Sequence, residues 1–151
     1  MDEDLFDKIE VGDELEPVVR EIDQDRINRY SEASGDYNPI HVDPEFAQKT
    51  RFGGTIAHGM LGLAFISQMM TNQFEYAWID GGEMEVEFLA PVRPGDSITT
   101  RGKVIEKSEA DRSITCEVYC ENQAAKKVIA GQARISFLPG VAGSCAEHLG
   151  A

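Results

Sequence analysis

A chain of 151 residues, 42% hydrophobic and 27% charged, carries enough apolar side chain for one buried core and too much for disorder. Its formal net charge of -13 at pH 7 repels phosphate, which argues against nucleic acid and anionic membrane as partners. The acidic opening MDEDLFDKIE is unlike a signal peptide, and no stretch approaches the roughly 18 consecutive apolar residues of a membrane span, so a soluble cytoplasmic protein is expected.

Taken in chain order, residues 14–22 read as a strand. Asp23 then opens a short helix in which Ile27, Tyr30 and Ala33 recur at three-residue spacing, and Gly35 closes it. Gly35-Asp36-Tyr37-Asn38-Pro39 is turn chemistry, because Pro39 biases Asn38 away from helix. Asp43-Pro44 is an N-cap followed by proline at the first helical position, predicting a turn or two to about Lys49. Residues 50–55 are irregular. From about Ile56 to Met70 the chain is apolar nearly all round, which a helix tolerates only when most of its faces are buried.

The second half alternates instead. Met84-Val86-Phe88, Ile98-Thr100, Val104-Ile105, Ile114-Cys116-Val118 and Ile129-Ala133-Ile135-Phe137 carry period-two or β-branched patterning, separated by turn residues. They predict an antiparallel meander. One buried helix followed by a long antiparallel sheet implies an α+β fold in which the sheet wraps the helix. Residues 1–139 are expected to form a single domain, and 140–151, rich in Gly, Ala and Ser, a flexible tail. The three cysteines, Cys116, Cys120 and Cys145, are odd in number and lack CxxC spacing, so buried thiols are expected rather than disulfides or a metal site.

Chemistry concentrates between Asp36 and Gly59. Asp36 and His41 flank Asn38-Pro39 in what reads as a loop, so the turn can aim both side chains at one point. Histidine takes a proton from water near neutral pH, and a neighbouring carboxylic group can supply one or orient the same water. Gly59 follows His58 at the start of the apolar helix, where free backbone N–H groups favour developing negative charge. Taken singly, each residue also has a plainer reading. Asp36 can cap an Asx turn, His58 can be a buried structural histidine, and the Ser67 hydroxyl can bond back to a carbonyl one turn earlier.

The run Ser34-Gly35-Asp36-Tyr37-Asn38-Pro39-Ile40-His41-Val42-Asp43, continuing through Phe46-Ala47, Thr50, Phe52-Gly53-Gly54 and Ile56-Ala57-His58-Gly59-Met60-Leu61, resembles the hydratase-2 signature of the MaoC-like dehydratases, the (R)-specific enoyl-CoA hydratases. The family's later turn pattern is matched by Phe88-Leu89-Ala90-Pro91-Val92-Arg93-Pro94-Gly95-Asp96, so the likeness covers about residues 8 to 139. This resemblance implies a hotdog fold and a homodimer or higher homo-oligomer. It implies syn addition of water to a trans-2-enoyl-CoA, with Asp36 and His41 as the catalytic pair and the Gly59 amide as the oxyanion hole. Asn38 would brace the loop and Ser67 would lie beside the pair. No cofactor or metal is implied, CoA being part of the substrate. Residues 71–82, with Phe74, Tyr76 and Trp78, depart from the family pattern where the acyl pocket should be shaped. Lys49, Arg51, Arg93 and Lys103 are candidates to meet the CoA phosphates.

The mechanism so implied has His41 removing a proton from water, Asp36 protonating the α-carbon and Gly59 holding the enolate. The rivals are a 3-hydroxyacyl dehydratase acting on carrier protein or CoA, a hotdog acyl-CoA thioesterase, and a non-catalytic acyl-CoA-binding subunit. Carrier protein is itself acidic and would need a basic docking patch on this acidic chain, which argues for free CoA.

Overall fold

A computed structural model describes residues 4–137. The expected tail at 140–151, with Cys145, lies outside the described residues. The element order is α1 (Leu5–Lys8), β1 (Val18–Glu21), α2 (Gln24–Ser34), α3 (Pro39–Val42), α4 (Pro44–Gln48), α5 (Gly59–Phe74), α6 (Tyr76–Gly81), β2 (Gly82–Phe88), β3 (Ser97–Ser108), β4 (Ser113–Glu121) and β5 (Lys127–Ser136).

The five strands form one antiparallel sheet in the order β1-β3-β4-β5-β2. Only β3, β4 and β5 run as the expected meander. The chain leaves β2 at one edge and crosses to β3, so β2 pairs with β5, Val86 facing Gly131. Period two does not encode which strand a neighbour is, and the crossover at residues 89–96 is where that reading fails. The patterning also split β3 in two. It is one strand of 12 residues in which Ile98, Thr100 and Val104 point inward.

Strand β1 is shorter than its apolar pattern predicts. Pro17, which has no N–H to donate, separates the ladder at Val18 from an isolated bridge between Glu14 and Lys103. Helix α2 forms as expected, the Asp23 side chain accepting from Arg26 N and Gly35 closing it at φ 78. Helix α1 was not foreseen: Asp4 caps it, and Phe6 is fully buried against Phe137 with Lys107 and Arg112 over its ring.

The sheet curls around α5, whose Leu61, Phe65, Ile66, Met69, Met70 and Phe74 enter the core with Val104, Ile114, Cys116, Val118 and Ile135. This is the hotdog arrangement. Burial of α5 is one-sided, however, and Met60, Ala64 and Gln68 form an exposed stripe at helical spacing. The helix starts at Gly59 rather than 56, because Ile56 and Ala57 are held extended by Ile40 and Val92 carbonyls. Among the described residues, no helix is long and apolar enough to cross a membrane.

Candidate active site

Asp36, His41 and His58 converge, each offering a nitrogen or carboxylate oxygen within 4.8 Å of the others. Three short segments bring them together. Helix α2 delivers Asp36 just past its glycine cap, α3 carries His41, and the extended approach to α5 ends on His58. His41 does not sit in an open loop as expected. Asn38 and Pro39 make a cap and first helical residue, the Asn38 side chain accepting from Ile40 N at 3.1 Å, so one tight turn of helix holds the imidazole.

The hydrogen bonds fix both tautomers. His41 Nδ1 lies 2.7 Å from the Ile56 carbonyl oxygen, which can only accept, so Nδ1 carries the proton and Nε2 presents a bare lone pair. His58 Nε2 lies 3.0 Å from the Asp36 carbonyl oxygen and 3.1 Å from Ser31 Oγ, so there Nε2 carries the proton. Burial pushes His58 below its ordinary value of 6.5, against the pull of the Asp36 carbonyl bond, and keeps it neutral. His58 Nδ1, also buried, has no partner among the described residues.

The carboxylate of Asp36 is exposed, and one oxygen closes an Asx turn by accepting from Asn38 N at 3.1 Å. The plainer reading of Asp36 therefore holds for that oxygen and leaves the other free. The stacked rings of His41 and His58, inclined by only 25°, do not suit a shared metal ion: their lone pairs lie in planes that meet far from both rings.

Beside His41 and His58 opens a cavity of about 460 Å³ whose walls are mostly apolar, from Ile56, Leu61 and Phe88 at the histidine end to Ile98, Cys120 and Ile129. Gly59 lines it at the first position of α5. Its N–H makes no hydrogen bond among the described residues and sits at the positive end of a 16-residue helix. Cys120 also lines the cavity, but burial pushes its thiol up to about 12, which removes it as a nucleophile.

The scaffold holding these groups includes residues the motif reading did not single out. Gln24 Nε2 donates to the His41 carbonyl at 2.7 Å while its oxygen accepts from Thr55 Oγ1, and Tyr30 packs edge-on against His58. Gln24, Tyr30 and Ser31 lie on one side of α2, so helical spacing from Asp36 backward was the signal for them.

A MaoC-like domain model matches residues 8–126. The chain belongs to the MaoC-like family. An (R)-specific enoyl-CoA hydratase of Rhodospirillum rubrum is 34% identical over 86% of this chain and 89% of that relative. A 3-hydroxybutyryl-CoA dehydratase of Methylorubrum extorquens is 32% identical over 82% and 83% of the two chains. The unliganded R-hydratase PhaJ1 of Pseudomonas aeruginosa superposes with a TM-score of 0.76 at 29% identity, covering 87% of this chain and 83% of that one. Both named relatives are hydro-lyases, and this MaoC-like chain is an enzyme of that class.

Not every expected residue of the MaoC-like site arrives there. Ser67 lies two turns along α5 and accepts a hydrogen bond from Trp78 Nε1 at 2.9 Å, so it neither lines the cavity nor bonds back to a helix carbonyl. Trp78, within the segment that departs from the family pattern, has claimed its hydroxyl. Arg51 does line the cavity, and the Arg93 guanidinium lies beside Gly54 at the same mouth. Lys49 is exposed at the end of α4 and is not part of the lining. Lys103 belongs elsewhere altogether. Its neighbour Val104 points into the core, so the pleat turns Lys103 to the outer sheet face, in a groove with Glu14 and Glu117.

Proposed function

We propose that this protein hydrates trans-2-enoyl-CoA to (R)-3-hydroxyacyl-CoA, reversibly and by syn addition. The observation that carries the reading is the bare Nε2 lone pair of His41, which its Nδ1–H bond to the Ile56 carbonyl fixes beside the Asp36 carboxyl group at an apolar cavity. In this reading His41 takes a proton from water as the oxygen bonds to the β-carbon, and Asp36 in its acid form gives its proton to the α-carbon. The proton on His41 then returns to Asp36, so one water is consumed and both side chains are restored. Between these steps negative charge sits on the thioester oxygen, where the Gly59 N–H and the α5 dipole stabilise it.

The cavity takes the acyl chain, and Arg51 and Arg93 at its mouth offer positive charge to the CoA phosphates. Met60 and Phe88 beside it are each 58% exposed, and β2 is a free sheet edge, which supports a homodimer covering this face. The test is the absorbance of the conjugated enoyl thioester on mixing with crotonyl-CoA or octenoyl-CoA. Prompt loss without release of free CoA is expected, reduced by a factor of roughly 10² or more in Asp36→Asn and in His41→Ala. Release of CoA thiol would show a thioesterase instead.

A further inference from the structure

His58 is 3% exposed, yet it touches every segment that builds the site. Its Nε2–H meets the Asp36 carbonyl at 3.0 Å and Ser31 Oγ at 3.1 Å. Its ring stacks on His41 with centroids 3.9 Å apart and meets the edge of Tyr30 at 4.8 Å. It occupies the N-cap position of α5 without making a side-chain cap bond, although capping is the usual task of a polar residue there. The imidazole is thus committed to the loop and to His41 rather than to its own helix.

We infer that His58 is a positioning residue for the hydration reaction: its Nε2–H fixes the Asp36 main chain and its ring face fixes the plane of the His41 imidazole. This rests on the reading of Asp36 and His41 as the acid-base pair. Neither residue is otherwise tightly confined. Asp36 is exposed on a short turn, and His41 rides a helix of four residues, too short to be rigid unaided. A displacement on the order of 1 Å at reacting groups can cost about 10²-fold in rate, which sets the scale of what His58 supplies.

The experiment is steady-state kinetics with crotonyl-CoA on His58→Ala, His58→Gln and Ser31→Ala, beside Asp36→Asn and His41→Ala, with a thermal melt of each. His58→Ala should lower kcat by about 10²-fold while KM moves far less, because the cavity that binds the acyl chain is left in place. In His58→Gln the side-chain amide can still donate to the Asp36 carbonyl, so part of the lost kcat should return. A purely structural histidine predicts otherwise: losses would follow the melting temperatures, and glutamine would give no selective recovery of kcat. That pattern, or wild-type kcat in folded His58→Ala, overturns the inference while leaving the Asp36 and His41 assignments standing. If His58→Ala does not fold, Ser31→Ala decides, since it removes one Nε2 partner and leaves the ring in place. A severalfold fall in kcat at unchanged KM and melting temperature supports the inference, and an unchanged kcat overturns it. Full activity in both Asp36→Asn and His41→Ala overturns the proposed mechanism and this inference with it.

Discussion

The imidazoles of His41 and His58 stack with ring centroids 3.9 Å apart and planes inclined by 25°. Two cations cannot share that contact cheaply, and His58 is the ring that stays neutral. Burial holds its proton affinity below the ordinary value of 6.5; the bond to the Asp36 carbonyl opposes this, and His41 adds to it.

A pH dependence of stability follows. The unfolded chain protonates His58 near pH 6.5, whereas the folded chain does so only at lower pH, so between those values the unfolded state binds more protons. The His58 contribution therefore destabilises the fold as pH falls through about 6.5. Denaturant unfolding at about pH 7.5 and about pH 5.5 should show a larger loss of stability in the wild type than in His58→Gln, bracketing that value. Asp36, His41 and Tyr30, the titratable neighbours, are present in both proteins and largely cancel. Equal losses would mean that His58 charges in the folded protein as readily as in the unfolded chain.

Gly59→Ala tests the helix start. A Cβ there would come within 2.5 Å of the Phe88 ring, which must move. Phe88 is exposed and at the end of its strand, so the cost in stability should be small, on the order of 1 kcal/mol. The cost in activity should be larger, because the displaced ring stands at the cavity mouth beside the Gly59 N–H. Adding Phe88→Ala should relieve it. Measured kcat/KM for the single and double variants checks this, and identical losses in both would point away from the Phe88 clash.

Asp36, Asn38-Pro39, His41 and Gly59 were legible in the sequence because short-range chemistry places them: a glycine cap, a cap-and-proline pair, and a helix start. The core of α5 and the inward faces of β3, β4 and β5 were legible by periodicity. The roles of Ser31, Gln24 and the His58 ring were not, since they depend on α2 crossing the start of α5, a contact between residues 27 apart in the case of Ser31 and His58. Ser67 failed for the same reason in reverse. Its neighbour Trp78 comes from a segment with no pattern to follow, and only the fold shows that the two meet. The edge position of β2 was equally hidden, because alternation reports which face a residue takes and not which strand lies beside it.

Gly131 marks that edge pairing. It faces Val86 across β2 and β5, and a Cβ on it would lie 2.0 Å from the Glu85 carbonyl oxygen and 2.7 Å from Val86 Cα. Both obstacles are backbone, so no side-chain rotation relieves them. Gly131→Ala should destabilise the protein by about 2 to 3 kcal/mol by forcing β2 outward, measured as a fall in the denaturant midpoint. Wild-type stability in this variant would show that β2 does not pack against β5 as closely as described.

Gly62 and Ile129 face each other across the cavity wall, and they bear on which acyl chains fit. A Cβ at Gly62 would come within 2.4 Å of Ile129 Cδ1, the end of a side chain that has the cavity beside it to turn into. Gly62→Ala therefore narrows the pocket at little cost to the fold, whereas a clash with backbone would have damaged it. A two-carbon enoyl extension such as crotonyl stays near His41, while an eight-carbon chain must pass the constriction. The expected result is a fall in kcat/KM of about tenfold or more for octenoyl-CoA with much less change for crotonyl-CoA, a methylene-sized obstruction in an apolar pocket being worth about 1 to 3 kcal/mol. Truncating the opposing residue, Gly62→Ala with Ile129→Val, should return part of the octenoyl-CoA activity. Equal effects on both substrates would place the acyl chain along another path from the histidines.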